Sequence, residues 1–263
     1  MVQEELTIEE RREQIELMTN IPQWKQKIAG KSLPMEKFAL RKSERFLEQG
    51  NVLVLPALEL IYVWNGFKVL GKSWSMIEPM FRLIEQHLSR VEKEKDQRLF
   101  YLEDFCLLTL LKGVCLKHMK SPLQAEECFQ AVSQHRGTLK RDTFLIPYAM
   151  YERGLLLKDQ GSFSEALDLL EKTKYAFFVH HNNLLIPDFF LFRNDFKDYL
   201  LQSRLHFRIH SAQIEIRAKL KQSKRSTSRK SSAGQESVVN GLDSMLALPS
   251  TEQETIRMIK NPR

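Results

Sequence analysis

Glycine and proline are scarce, at ten and nine residues in a chain of 263. An all-β fold that turns about every ten residues needs more of both, so long helices are expected instead. Cysteine is scarcer still. Cys106, Cys115 and Cys128 form no CxxC pair, and any disulfide scheme leaves one of them over. Set among apolar helical residues, they read as buried, reduced thiols of a cytoplasmic or nuclear protein. No clean apolar run is long enough for a bilayer. The longest apolar-looking stretch, residues 175–192, contains two His, two Asn, Asp188 and Pro187, which is too polar and too broken to span. The opening MVQEELTIEERREQIELM is too charged for a secretory signal and too acidic for a transit peptide.

A large single-sign field is missing as well. The net charge is +7, but residues 219–230 hold Lys219, Lys221, Lys224, Arg225, Arg229 and Lys230 with no acid, and supply +6 of it. The rest of the chain has no bulk electrostatic reason to seek phosphate. What remains is an ordinary balance of 43% hydrophobic and 28% charged residues, enough for a folded core.

The apolar spacing and its punctuation divide this core into helices. Residues 3–19 form the first, ended by Asn20 and Pro22. Pro34 opens a second that stops at Gly50. Pro56 starts a third, read as one helix through Gly66 to Gly71. Ser73 is the expected N-cap of the next, which carries Pro79. Residues 99–119 form a strongly apolar helix, Ser121-Pro122 restarts the chain, Pro147 opens another helix, and Gly161-Ser162 turns it into residues 163–174.

A repeat underlies these helices. Gly113, Leu116, Ala125 and Phe129 align with Gly154, Leu157, Ala166 and Leu170, each pair 41 apart, with 12 residues from Gly to Ala in both copies. Gly66 and the turn at Gly71 give a weaker third copy. Small residues on both helices of a pair let the helices approach closely, and overpacking there costs about 1–3 kcal/mol. One such pair cannot bury its apolar face alone, but stacked pairs can. The expected fold is all-α: antiparallel helix pairs stacked as an α-solenoid over residues 1–220. A basic, Ser-rich, disordered tail over residues 221–263 completes the expected organisation.

GLLLKDQGSFSEALDLLEK (154–172) resembles the tetratricopeptide repeat. The other copies are degenerate, with Thr109 and Lys112 where that motif prefers large apolar residues. KQKIAGKSLPMEKFALRKSERF (25–46), PALELIYVWNGF (56–67) and SRLHFRIHSA (203–212) are similar to signature stretches of the tetratricopeptide repeat protein 39 family. With gaps, the similarity runs over residues 5–215. The resemblance implies a helical-repeat protein without catalytic activity, and a chain equivalent to the C-terminal half of longer members. Family members pass almost directly from an LLEKTK-like helix to an NDFKDY-like stretch. Here YAFFVHHNNLLIPDFFLFR (175–193) intervenes, and a translated short intron and a lineage insertion are both open readings of it.

Chemical readings are weak by comparison. His206 and His210 stand four apart, but a zinc site needs a third ligand, and the nearest candidates are His180 and His181. GFKVLGKS (66–73) formally matches a phosphate loop, yet Phe67, Val69 and Leu70 continue a helix where a strand and a flexible loop are required. No GxSxG occurs, and no cysteine has a nearby basic partner that suggests activation. No metal or cofactor is expected. Residues 205–220 alternate in a way that suits a strand, but the face Leu205, Ile209, Ala212, Ile216 and Leu220 suits a helix, and helix is the reading adopted. Arg204, Arg208, Ser211, Glu215 and Lys219 then form its solvated face.

The inner positions that hold a carboxylate in some tetratricopeptide domains are here Val63, Phe67, Leu110, Val114, Tyr151 and Leu155. They are apolar or aromatic, so a groove for an apolar or helical peptide is expected. Ser228 and Ser232 each follow an arginine by three and are candidate phosphorylation sites. The functional expectation is a non-catalytic scaffold or adaptor whose partners are other proteins or peptides. The alternative is binding of RNA or an acidic membrane through the basic tail.

Overall fold

The computed structural model describes residues 7–24, 27–28, 31–178 and 200–222. It separates into two units, Met1–Gln213 and Ile214–Arg263. The first unit contains α1 (Ile8–Asn20), α2 (Pro34–Glu48), α3 (Pro56–Val63), the single turn α4 (Phe67–Leu70), α5 (Trp74–Lys93), α6 (Tyr101–His118), α7 (Pro122–Gln134), α8 (Leu145–Asp159) and α9 (Phe163–Phe178). Residues 202–213 close it with a further helix. The extended elements among the described residues are β1 (Lys27–Ile28) and β2 (Lys31–Ser32), a two-residue antiparallel ladder pairing Lys27 with Ser32 and Ile28 with Lys31. In the second unit, residues 214–222 are helical. The fold class is all-α, and it is consistent with a stack of tetratricopeptide-like helix pairs.

Local chemistry explains most of the boundaries. Thr7 and Glu10 form a capping box at the start of α1, with Glu10 N–H donating to Thr7 Oγ1 at 3.2 Å and Thr7 N–H to Glu10 Oε2 at 2.8 Å. Pro34, Pro56 and Pro122 sit in first turns, where the missing N–H has no intrahelical partner to lose. The helix expected to begin at Pro147 starts at Leu145 instead, which leaves Pro147 third and still harmless. Pro79 lies inside α5.

The single helix expected from Pro56 to Gly71 is broken. Asn65 adopts φ 65°, and the N–H groups of Asn65 and Gly66 turn back to Tyr62 O and Ile61 O, both at 2.8 Å. Asn tolerates the left-handed conformation, so these bonds end α3 before the chain restarts as α4. Ser73 does occupy the N-cap of α5, but its hydroxyl pairs with Ser75 Oγ at 2.8 Å and makes no bond to the helix backbone.

Packing follows the chain. α5 lies on α6, α6 on α7, α7 on α8 and α8 on α9, while α3, α6 and α8 also touch one another in an inner layer through α6. The short turns between α6 and α7 and between α8 and α9 make the helices of each of these pairs antiparallel. α6 is the centre: Leu107, Leu108, Leu110, Leu111, Val114 and Cys115 are all buried. Apolar residues on every side of a helix are what a surrounded helix requires. The backbone of α9 continues to Phe178. Residues 179–193 of the unusual stretch, and residues 223–263 of the expected tail, lie outside the described residues.

Candidate functional site

The aligned small residues lie where helices meet. A methyl group on Gly113 would stand 2.6 Å from Phe129 Cε1 and 2.9 Å from Cys128 Cβ. On Gly154 it would stand 2.7 Å from Leu170 Cδ2 and 2.8 Å from Leu170 Cγ. Ala125, Ala166, Phe129 and Leu170 are fully buried and Leu116 nearly so, whereas Leu157 is half-buried. Gly66 differs from the other two. Its crowding comes from Ile61 of the preceding helix, whose Cγ2 would be 2.8 Å from an added methyl. It therefore serves a turn and not the meeting of a helix pair. The residue of the first hairpin that abuts a later helix is Gly71, against the ring of His118.

The inner layer is covered from one side by α2. Lys42 Nζ lies 2.6 Å from Glu59 Oε1 on α3 and 2.7 Å from Asp142 Oδ2 ahead of α8. Arg45 pairs with Asp142 and with Asp104 on α6. Arg98 joins Asp104 at 2.8 Å and Glu94 at 2.7 Å. Phe38 of α2 packs edge-on against Phe144, and the Arg45 guanidinium covers the Phe100 ring. Burial pushes the Glu59 carboxyl up to about 6 against the opposing pull of Lys42. Burial acts on Asp142 in the same sense, but Lys42 and Arg45 outweigh it and hold that carboxyl below its ordinary range. This network ties α2 to α3, α6 and the start of α8.

The 202–213 helix covers the same layer. Leu205 and Ile209 are fully buried and Ala212 nearly so. Arg208, expected on the solvated face, is buried at 8% exposure. Its Nη2 donates to Val63 O at 2.6 Å and Tyr62 O at 3.2 Å, the carbonyls that end α3. A cation at a helix C-terminus is favourable because the last carbonyls have no partners in their own helix. The guanidinium also faces the rings of Tyr62 and Tyr148, and Tyr148 Oη donates to Leu201 O at 3.2 Å. Below it, Tyr62 Oη donates to Glu152 Oε1 at 3.2 Å, and Lys117 pairs with the other oxygen of Glu152. Val63, Phe67, Leu110, Val114 and Tyr151, expected to line an open groove, are instead buried. Of that set Leu155 alone is half-exposed. The chain's own helices fill the space left for a peptide.

The remaining chemistry is subdued. Burial pushes the Cys106 and Cys115 thiols up to about 12 and raises Cys128 as well, the opposite of an activated nucleophile. Burial, then Lys174, lowers the half-buried His206, while His210 is exposed; His180 and His181 are outside the described residues. Phe67–Leu70 is helical with Phe67 buried, so the formal phosphate-loop match is part of a packed hairpin. A cleft of about 370 Å³ lies beside Glu48, Glu94, Arg98, Phe100 and Asp104. Its charged groups are already paired: Glu48 with Arg141, and Arg98 with Glu94 and Asp104. Ser228 and Ser232 lie outside the described residues.

The role of Arg208 had no sequence signal, and the ionic network had little. The pairs of Lys42 and Arg45 with Asp142, of Arg45 with Asp104 and of Arg208 with Tyr62 span 59 to 146 positions, and each residue alone reads as an ordinary surface charge. A weak hint was the clustering of Lys42 and Arg45 three apart on α2, toward the same side as Phe38 and Phe46.

A family model described as Iml2/Tetratricopeptide repeat protein 39 matches residues 1–119. Over 186 residues the chain is 38% identical to Tetratricopeptide repeat protein ttc-39B of Caenorhabditis elegans, an alignment that takes in 71% of this chain and 28% of that relative. The chain thus spans well under half the length of the curated relative it matches. No solved structure matches it.

Proposed function

Because the chain belongs to the Iml2/tetratricopeptide repeat protein 39 family, we propose that it works as a non-catalytic scaffold or adaptor, holding other proteins on stacked helix pairs in the cytoplasm or nucleus. The observation that carries this reading is the close approach of paired helices at Gly113, α6 on α7, and at Gly154, α8 on α9, with α7 packed on α8 to join the two pairs into an array. Arrays of this kind present extended surfaces for partners. The thiols of the array are buried, and Lys42, Arg45, Glu59, Asp104, Asp142, Lys117 and Glu152 are engaged with one another, so these side chains are used to hold the fold. We propose the domain division of residues 1–220 and 221–263 on the same grounds, with the small residues as packing positions and Ser228 and Ser232 as modification sites of the tail.

Proximity labelling in cells tests the reading, with the full chain and a chain lacking residues 221–263. The expected outcome is that most labelled proteins are shared, because the array recruits them. Loss of the whole set with the tail would transfer the function to the basic segment. Salt-sensitive binding to RNA or acidic vesicles would then be the reading to pursue.

A further inference from the structure

The 202–213 helix has the form of a bound ligand. Leu205, Arg208, Ile209 and Ala212 are buried, and their spacing is i, i+3, i+4 and i+7, the anchor pattern of an amphipathic helix lying in a groove. Its neighbours along the turn, Phe207 and His210, face solvent. We propose that residues 200–213 are an internal ligand of the inner layer, and that this layer is the docking site for a partner's amphipathic helix with the same anchors. Those anchors are two aliphatic residues four apart, a guanidinium one residue before the second, and a small residue three after it. The inference rests on the scaffold reading and names the surface that would carry it.

The docking is built to be reversible. Arg208 is a buried cation with no carboxylate partner among the described residues, and its Nη1 makes no hydrogen bond. Its compensation is two carbonyls, both reached from Nη2, and two aromatic faces. A buried charge paired so incompletely gives back part of what burial of Leu205 and Ile209 provides. Leu201, where the segment meets Tyr148, is held at φ 67°, a conformation that a branched side chain adopts at a cost. The contrast is with α2, whose two buried cations each meet two carboxylates. Of the two covers over the inner layer, the 202–213 helix is therefore the one that opens.

Hydrogen exchange on the unmodified full chain tests this first. Amides of residues 202–213 should exchange at least a hundredfold faster than those of Leu107–Val114 on α6. A segment that exchanges at the α6 rate opens only by global unfolding, which would overturn the proposal. A fluorescent peptide of residues 200–222 then serves as the partner helix. The full-length Arg208→Glu variant, checked for retained helicity, should bind it at least tenfold more tightly than wild type, because its own copy is released. Equal binding by a folded variant overturns the proposal. Dimerisation of wild type that the peptide reverses also overturns it, by making a second copy of this chain the occupant. Either failure leaves the labelling result above untouched, since partners can be held on other faces of the array.

Discussion

Replacing Gly154 by alanine sets two effects of known sign against each other. In a helix interior alanine is favoured over glycine by about 1 kcal/mol. The added methyl, however, would lie 2.7 and 2.8 Å from two carbons of Leu170, which is itself fully buried. Overpacking of a site with no room to give costs about 1–3 kcal/mol. Taking about 2 for the clash, Gly154→Ala should destabilise the chain by about 1 kcal/mol. Leu170→Ala removes the clashing atoms and costs about 2–5 kcal/mol alone. In that background alanine at position 154 should stabilise, by about 1 kcal/mol. The two substitutions should therefore be coupled by about 2 kcal/mol, read from urea unfolding followed by helical circular dichroism. Gly161 supplies the control. It sits at φ 86° with no atom within 4 Å of an added methyl, so alanine there should cost about 1–2 kcal/mol through the backbone alone, equally in both backgrounds. Additivity within about 0.5 kcal/mol at position 154 would refute the idea that close helix approach sets this residue.

Two further expectations concern titration and reactivity. The Glu59 carboxyl is pushed up to about 6 from an ordinary 4.5, so the folded state binds a proton that the unfolded chain releases. Its contribution to stability should fall as pH rises through that window, by about 2 kcal/mol in all. Glu59→Gln should flatten the plot of unfolding free energy against pH between those values, and an unchanged slope would contradict the assignment. The thiols of Cys106 and Cys115, pushed up to about 12, should resist iodoacetamide at mildly alkaline pH, where an exposed thiol reacts. Mass spectrometry should find them alkylated only after denaturant is added, and labelling of the native chain would count against their burial.

Most helix boundaries, and the pairing of α6 with α7 and of α8 with α9, were legible along the chain, whereas the break at Asn65 was not. Prolines at first turns, glycines at ends and a 41-residue recurrence of small residues are short-range signals. They act through backbone sterics and the packing of one helix on the next, so they can be read along the chain. The 202–213 helix was legible in the same way, despite its alternating pattern, because Leu205, Ile209 and Ala212 share one face. Its place was not legible. Only the tertiary structure brought Arg208 to the end of α3, 145 positions away, and Lys42 to Asp142, 100 away. A charged side chain carries no mark of whether water or a distant carbonyl will solvate it. That is decided by which surfaces meet once the apolar faces have been buried, and here it turned an expected open groove into one occupied by the chain itself.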